Sequence, residues 1–380
     1  MHRFGLIPHN YEGIRHMNIQ MRKYYCARKC DEWNMLYHFL LFVVIISAFV
    51  FSGLPCAENA WAIDRETMLL RIGTGGATGV YYPIGKLIAE GITKYYQSNN
   101  GDLSGAEKTD NKTAIISVAQ YSAGSVDNVK NIISKDTEAG IVQADVAAHA
   151  CNKEGIFKNV NNSEKLRAVA CLYPEKFHIV VRKDANIKSV FGLSGKHISL
   201  DEAGSGTLEV MRIVLRYHNL TENDLNPVYL KPVFTREKVT KGELQGFVMM
   251  SGAPMEAVTN LIPAGITLVP ITYEKAMQIN QKNPYLVPGV IHENVYPGIP
   301  QTPTLEVYAL LTVNSDLNDD FVFAVTKALF SETTLALLGN GHPQGKAIGL
   351  KSALKGISIP LHDGAKRFYI QNGIEIKETL

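Results

Sequence analysis

Beyond residue 63, short apolar, β-branched runs alternate with longer runs in which apolar residues recur every three or four positions. That alternation predicts an α/β fold. Residues 68–72 read as a strand, and the loop Gly73-Thr74-Gly75-Gly76-Ala77-Thr78-Gly79 follows. Pro83 is placed to open a helix, where its missing N–H costs nothing, and Ile84, Leu87, Ile88 and Ile92 share one face of it. The unit then repeats. Residues 114–118 form a strand, Gly124-Ser125 a turn with a capping serine, and Val126, Val129, Ile132 and Ile133 the next helix face. A short strand over 139–142 runs into Gln143-Ala144-Asp145, and two separate strands are expected at 166–172 and 177–181.

After Arg182 a second set begins. It comprises a strand at 197–200, the loop Gly204-Ser205-Gly206-Thr207 and a helix carrying Val210, Ile213, Val214 and Tyr217. A strand at 246–250 leads through Ser251-Gly252-Ala253-Pro254 into another helix, and 266–270 is one more strand. The stretch 283–303 is rich in Pro and Gly and reads as loop; 304–313 is a strand long enough to run between lobes; helices starting with 319–330 finish the chain. The polar segment 99–112 reads as an exposed loop.

The first 62 residues follow a different pattern. Arg22, Lys23, Arg28 and Lys29 precede an apolar run over 39–51, and Ala60-Trp61-Ala62 supplies small residues at the spacing of a signal-peptidase site. Basic, apolar, small-x-small is the order of a secretory leader, and the apolar run is short for a spanning helix, which needs roughly 20 residues. A cleaved signal peptide over 1–62 is therefore expected, with a retained anchor as the alternative. Of 38 basic and 36 acidic residues, 6 and 4 lie in this leader, so the remainder is neutral. A neutral surface argues against a nucleic-acid binder, which needs a basic footprint. A chain of this size is expected to form two domains. Three of five cysteines lie in the leader; Cys151 and Cys171 remain, either as one disulfide or as buried thiols.

Enzyme signatures are missing from the sequence. Gly73, Gly75 and Gly79 space as GxGxxxG rather than GxGxxG, and the next strand ends without the acid a dinucleotide site needs. Ser205 lies in Ala203-Gly204-Ser205-Gly206-Thr207, which is not GxSxG, and the histidines show no metal-ligand spacing. No cofactor or metal is indicated, and the chain does not read as an enzyme. Instead, four strands end in loops of small residues just before a helix, at 73–79, 122–125, 204–207 and 251–254. Ligands of open α/β sheets bind beyond the carboxyl ends of strands, where helix N-termini offer unpaired N–H groups and partial positive charge. Four such termini facing one cleft would hold a carboxylate without an arginine. Tyr81 or Tyr82 would reach into that cleft, and Asp145 would cap a helix or meet a ligand amine.

These segments resemble the TAXI family, the substrate-binding subunits of one class of TRAP transporters, and within it the bacterial proteins named for their immunogenicity. The resemblance is carried by Ile72-Gly73-Thr74-Gly75-Gly76-Ala77-Thr78-Gly79-Val80-Tyr81-Tyr82-Pro83, Gly124-Ser125-Val126-Asp127-Asn128 and Gly140-Ile141-Val142-Gln143-Ala144-Asp145. Leu172-Tyr173-Pro174-Glu175, Gly204-Ser205-Gly206-Thr207, Tyr296-Pro297-Gly298 and Ile359-Pro360-Leu361-His362-Asp363-Gly364-Ala365 continue it in order along the chain. It implies a two-lobed periplasmic-binding-protein fold of the second type with crossing hinge strands, one lobe at 63–182 plus 304–380 and the other at 183–303. It also implies a periplasmic protein that captures a small anionic metabolite (glutamate, glutamine or a 2-oxoglutarate-like dicarboxylate) and delivers it to TRAP membrane subunits, which are often fused. Carried over by position, the ligand residues would be Gly75, Gly76, Thr78, Tyr81, Ser125, Asn128, Gln143, Asp145, Ser205, Gly206 and Thr207. Departures occur at Lys86, Ala144, His149 and 244–247, and bear on the ligand more than on the fold. The competing readings are a membrane-anchored sensor or surface antigen on the same fold, and an enzyme built on the two-lobed scaffold.

Overall fold

The computed structural model describes residues 67–98 and 114–376. The expected leader and the polar loop at 99–112 lie outside the described residues. The first half contains β1 (Thr67–Gly73), α1 (Tyr81–Ser98), β2 (Ala114–Gln120), α2 (Ser125–Ile133), β3 (Ala139–Gln143), α3 (Ala144–Cys151) and β4 (Leu166–Arg182). Then come β5 (His197–Ser199), α4 (Gly206–Tyr217), β6 (Asn226–Val228), α5 (Pro232–Thr240), β7 (Gly246–Ser251), α6 (Glu256–Thr259) and β8 (Ile266–Leu268). The chain continues with α7 (Tyr273–Lys282), β9 (Val287–Ile291), β10 (Thr302–Asn314), α8 (Asp319–Leu329), α9 (Glu332–Gly341) and α10 (Asp363–Gln371).

Among the described residues, all ten strands belong to one mixed sheet, in the order β2-β1-β3-β10-β4-β7-β5-β6, with β8 on β4 and β9 on β10. β1 runs parallel to β2 and β3, and β5 runs parallel to β6 and β7. Two parallel groups, each made of strand-helix units, are thus joined only through the antiparallel strands β4 and β10. Leu166 to Lys176 of β4 pairs with β10, and Lys176 to Val181 pairs with β7. These crossing strands make the molecule two-lobed.

The core forms on both faces of the sheet, because strands covered on both faces bury successive residues on opposite sides. On β3, Ile141 packs with Ile84, Ile88 and Ile92 of α1, while its neighbour Val142 packs with Val126, Val129 and Ile132 of α2. On β7, Phe247 and Met249 join the first cluster, and Val248 and Met250 the second. Each of the three α1 isoleucines is fully buried and contributes about 1.5–3 kcal/mol.

Several expectations are corrected here. The two strands at 166–172 and 177–181 are one continuous strand, with Pro174 opposite Tyr308. Proline is tolerated in a sheet near bulges, and the β4–β10 register shifts between Ala309 and Leu310 and again between Leu311 and Thr312. Those irregularities free backbone groups of β4, so the Ala168 and Cys171 N–H groups donate instead to Pro360 and Ala353 carbonyls at 2.9 and 2.7 Å. The stretch 283–303 is not all loop, since β9 pairs with β10 despite Pro288 and Gly289. Ser125 does not cap its helix; Gly124 holds the cap position, with φ 113°. Cys151 and Cys171 are free thiols, and burial pushes them up to about 11 and about 12. Among the described residues, no single helix is long and apolar enough to cross a membrane.

Candidate functional site

The carboxyl ends of β1, β3, β5 and β7 and the loop after β2 converge on one cavity, with β4 crossing its floor. From one lobe come Gly75, Gly76, Gly79, Val80 and Tyr81, then Ala123, Gly124 and Ser125, then Gln143 and Glu175. From the other come Asp201, Glu202, Ser205, Gly206 and Thr207, with Met249, Met250 and Ser251 from β7. The cavity volume is about 40 Å³; one water needs roughly 10–15 Å³ on the same measure, so there is room for a few waters or a compact solute.

Three helices start at this cavity. α1 begins at Tyr81, α2 at Ser125 and α4 at Gly206. Their first N–H groups lack intrahelical partners, and each start carries partial positive charge. Ser205 caps α4 by accepting from the Leu208 N–H at 3.1 Å. The fourth expected terminus, α6, is a single turn preceded by a cis Ala253–Pro254 bond, and its loop contributes only Ser251.

The side chains are locked together. The Tyr81 hydroxyl donates to Glu175 Oε2 at 2.8 Å and lies 3.3 Å from Ser125 Oγ. Ser125 Oγ accepts the Gln143 N–H at 3.1 Å. Thr207 Oγ1 accepts the Met250 N–H at 3.1 Å, which ties α4 to β7. Gln143 Oε1 is buried at the cavity and has no hydrogen-bond partner. Of the eleven residues expected from sequence, Gly75, Gly76, Tyr81, Ser125, Gln143, Ser205, Gly206 and Thr207 line the cavity. Thr78, Asn128 and Asp145 do not. Asn128 Nδ2 donates to the carbonyls of Thr74 and Ile141 at 2.6 and 2.8 Å, so it braces the first glycine loop from behind. Thr78 Oγ1 is buried without a partner, as are both carboxylate oxygens of Asp145.

Three acids line the cavity that the sequence reading did not select: Glu175, Asp201 and Glu202. Among the described lining residues none is a lysine, arginine or histidine. Burial drives the Glu175 carboxyl well above the usual range, and the Asp145 charge adds to this while the Tyr81 hydrogen bond opposes it. Burial likewise raises Asp201 to about 7 and Asp145 to about 6. Asp201 sits at φ 71°, an unusual conformation for a residue with a side chain, and accepts the Glu202 N–H at 2.9 Å. The signal for Glu175 appears only with the structure: it is an acid inside a continuous strand that is buried on both faces, and such a group requires either a partner or a purpose.

The two lobes touch across this site. The Asp127 N–H donates to the Gly204 carbonyl at 3.2 Å. Gln143 is seated on Gly206 so closely that a Cβ there would lie 2.5 Å from Nε2.

Comparison with known proteins gives a family match over residues 72–373, to the NMT1-like family. Among solved structures, the alkanesulfonate-binding protein SsuA from Xanthomonas axonopodis pv. citri bound to MOPS is 14% identical, with 80% of this chain and 84% of that chain covered and a TM-score of 0.43. The periplasmic aliphatic sulphonate binding protein SsuA from Escherichia coli is 15% identical over 80% of this chain and 82% of that chain, with a TM-score of 0.41. MatC from Rhodopseudomonas palustris with bound malate is 11% identical over 72% and 88%, with a TM-score of 0.45.

Proposed function

The chain belongs to the NMT1-like family, and from that membership and the geometry of the cleft we propose that it is an extracytoplasmic solute-binding protein of a membrane transporter. The observation that carries the reading is the convergence of three helix N-termini, from both sides of the crossing strands, on one small cavity. Helix starts of this kind suit a carboxylate. The ligand class, taken from the sequence resemblance, is a compact carboxylate-bearing metabolite such as glutamate, glutamine or 2-oxoglutarate, which the cavity of about 40 Å³ admits only by opening. In this reading the segments 63–182 and 304–380 move as one lobe and 183–303 as the other, flexing where β4 and β10 cross. The closed form docks on membrane subunits, of the TRAP type that the sequence resemblance implies, outside the cytoplasm. No catalytic step is assigned to the cleft.

A thermal-shift screen of the purified protein against amino acids, dicarboxylates and keto acids tests this. A solute that binds only the folded state raises Tm, by about 2.7 kcal/mol of added stability at a hundredfold excess over Kd. A saturable shift with a carboxylate compound supports capture. No shift with any compound, from protein shown by mass spectrometry to carry no co-purified solute, contradicts it.

A further inference from the structure

The cleft that suits a carboxylate at its helix starts has only acids among its charged lining residues. Glu175 is 1% exposed and stands on the crossing strand β4, with Asp201 and Glu202 reaching the same cavity from the opposite lobe. Gln143, 3% exposed, adds a buried carbonyl oxygen without a partner. A plain dicarboxylate or keto acid would bring negative charge against these acceptors with no cationic side chain to offset it. A ligand that also carries an ammonium group satisfies them: three donors on one centre meet Gln143 Oε1 and the carboxyls, while its carboxylate keeps the helix starts.

Resting on the capture reading above, we propose that Glu175 is the residue that selects an amine over a ketone at the ligand, releasing its own proton to solvent as the ligand ammonium binds. The groups around Glu175 explain why it holds that proton beforehand. Tyr81 from α1 donates to it, Tyr173 lies beside it on β4, Asp145 faces it from α3, and Asp201 and Glu202 face it across the cavity. Lys176, the next residue on β4, is paired with Glu306 of β10. No group in this shell favours the charged form except the Tyr81 hydroxyl. An arriving ammonium supplies the missing positive charge; the carboxyl O–H bond breaks, the proton passes to buffer, and the ammonium stays intact.

The experiment is isothermal titration of the purified protein with amino acids and their matched keto acids, L-glutamate with 2-oxoglutarate first, in two buffers of different ionisation enthalpy. The expected result is a preference for the amino compound of at least about tenfold. It comes with release of about one proton near neutral pH, since the buffer-dependent heat counts protons exchanged on binding. Glu175→Gln keeps an acceptor for Tyr81 but has no proton to lose; its proton release falls by about one relative to the parent, leaving only what Asp201 gives up, and its amino-over-keto preference collapses. Asp201→Asn serves as a second variant, in which the preference weakens while Glu175 still releases its proton. A keto acid that binds as tightly as its amino partner, or an amino compound bound without proton release, overturns the inference and leaves solute capture standing. No binding by any member of the panel overturns both.

Discussion

At the scale of single residues, the site is a set of polar groups whose protonation is set by where the backbone puts them. Asp201 is the clearest case. Its carboxyl is held at about 7 because burial outweighs the hydrogen bonds offered by the Glu202 N–H and by Thr207 and Ser205, against an ordinary value of 3.8 in the unfolded chain. A raised acid binds its proton more tightly when folded. The stabilisation from that difference is fully present below about pH 4 and is lost as pH rises through about 7. The prediction is that Asp201→Asn gains stability relative to the parent protein as pH rises across that window. Urea midpoints of the ligand-free proteins at about pH 5 and about pH 8 would show the gap widening at the higher pH. An unchanged gap would mean that Asp201 is ionised in the folded protein throughout. At this scale the sequence was only partly readable. Tyr81, Ser125 and Gln143 were legible because they stand at helix starts and strand ends. Glu175 and Asp201 were not, because a pattern of apolar positions says nothing about which acid faces a cavity built from six separated segments. Asn128 stands on an expected element but turns to the Thr74 and Ile141 carbonyls instead of lining the cavity, a distinction set by side-chain direction rather than by spacing.

At the scale of elements, the strand-loop-helix units were legible from periodicity, and the helix starts that face the cavity were read from their small residues. What the pattern could not show was β4 as a single strand. Pro174, Glu175 and Lys176 interrupt its apolar run, and the continuity depends on bulged pairing with β10, a partner well over a hundred residues later. The same limit hid β9, whose Pro and Gly are tolerated because it lies off the main strand order. The contact between α4 and β3 gives a prediction at this scale. Gly206 has an ordinary negative φ, so alanine there carries no backbone strain, yet its Cβ would sit 2.5–2.7 Å from the Gln143 amide. Gly206 is buried at the start of α4, so Gly206→Ala is expected to cost about 1–3 kcal/mol of ligand-free stability as the Gln143 amide is pushed aside, and to weaken ligand binding by at least about tenfold beyond that because the lobes no longer meet. Titration of the variant beside the parent checks it. Equal affinity would show that this contact is not part of the closed form.

At the scale of the whole molecule, two groups of parallel strands hang on two crossing strands, and the lobes meet at the Asp127–Gly204 hydrogen bond and the Gln143–Gly206 contact. The two-lobed architecture was legible because the strand-helix pattern restarts after Arg182 and a long strand follows the Pro- and Gly-rich stretch. The position of each strand in the sheet was not, since strand order depends on long-range pairing that local patterns do not encode. A ligand that touches both lobes favours the closed arrangement only through contacts the open one lacks. Small-angle scattering of the purified protein, with and without the solute found by the thermal screen, tests this most directly. Capture by closure predicts a smaller radius of gyration at saturating solute and no change with a solute that fails to shift Tm. An identical radius in the two samples, with binding confirmed in the same buffer, would contradict it.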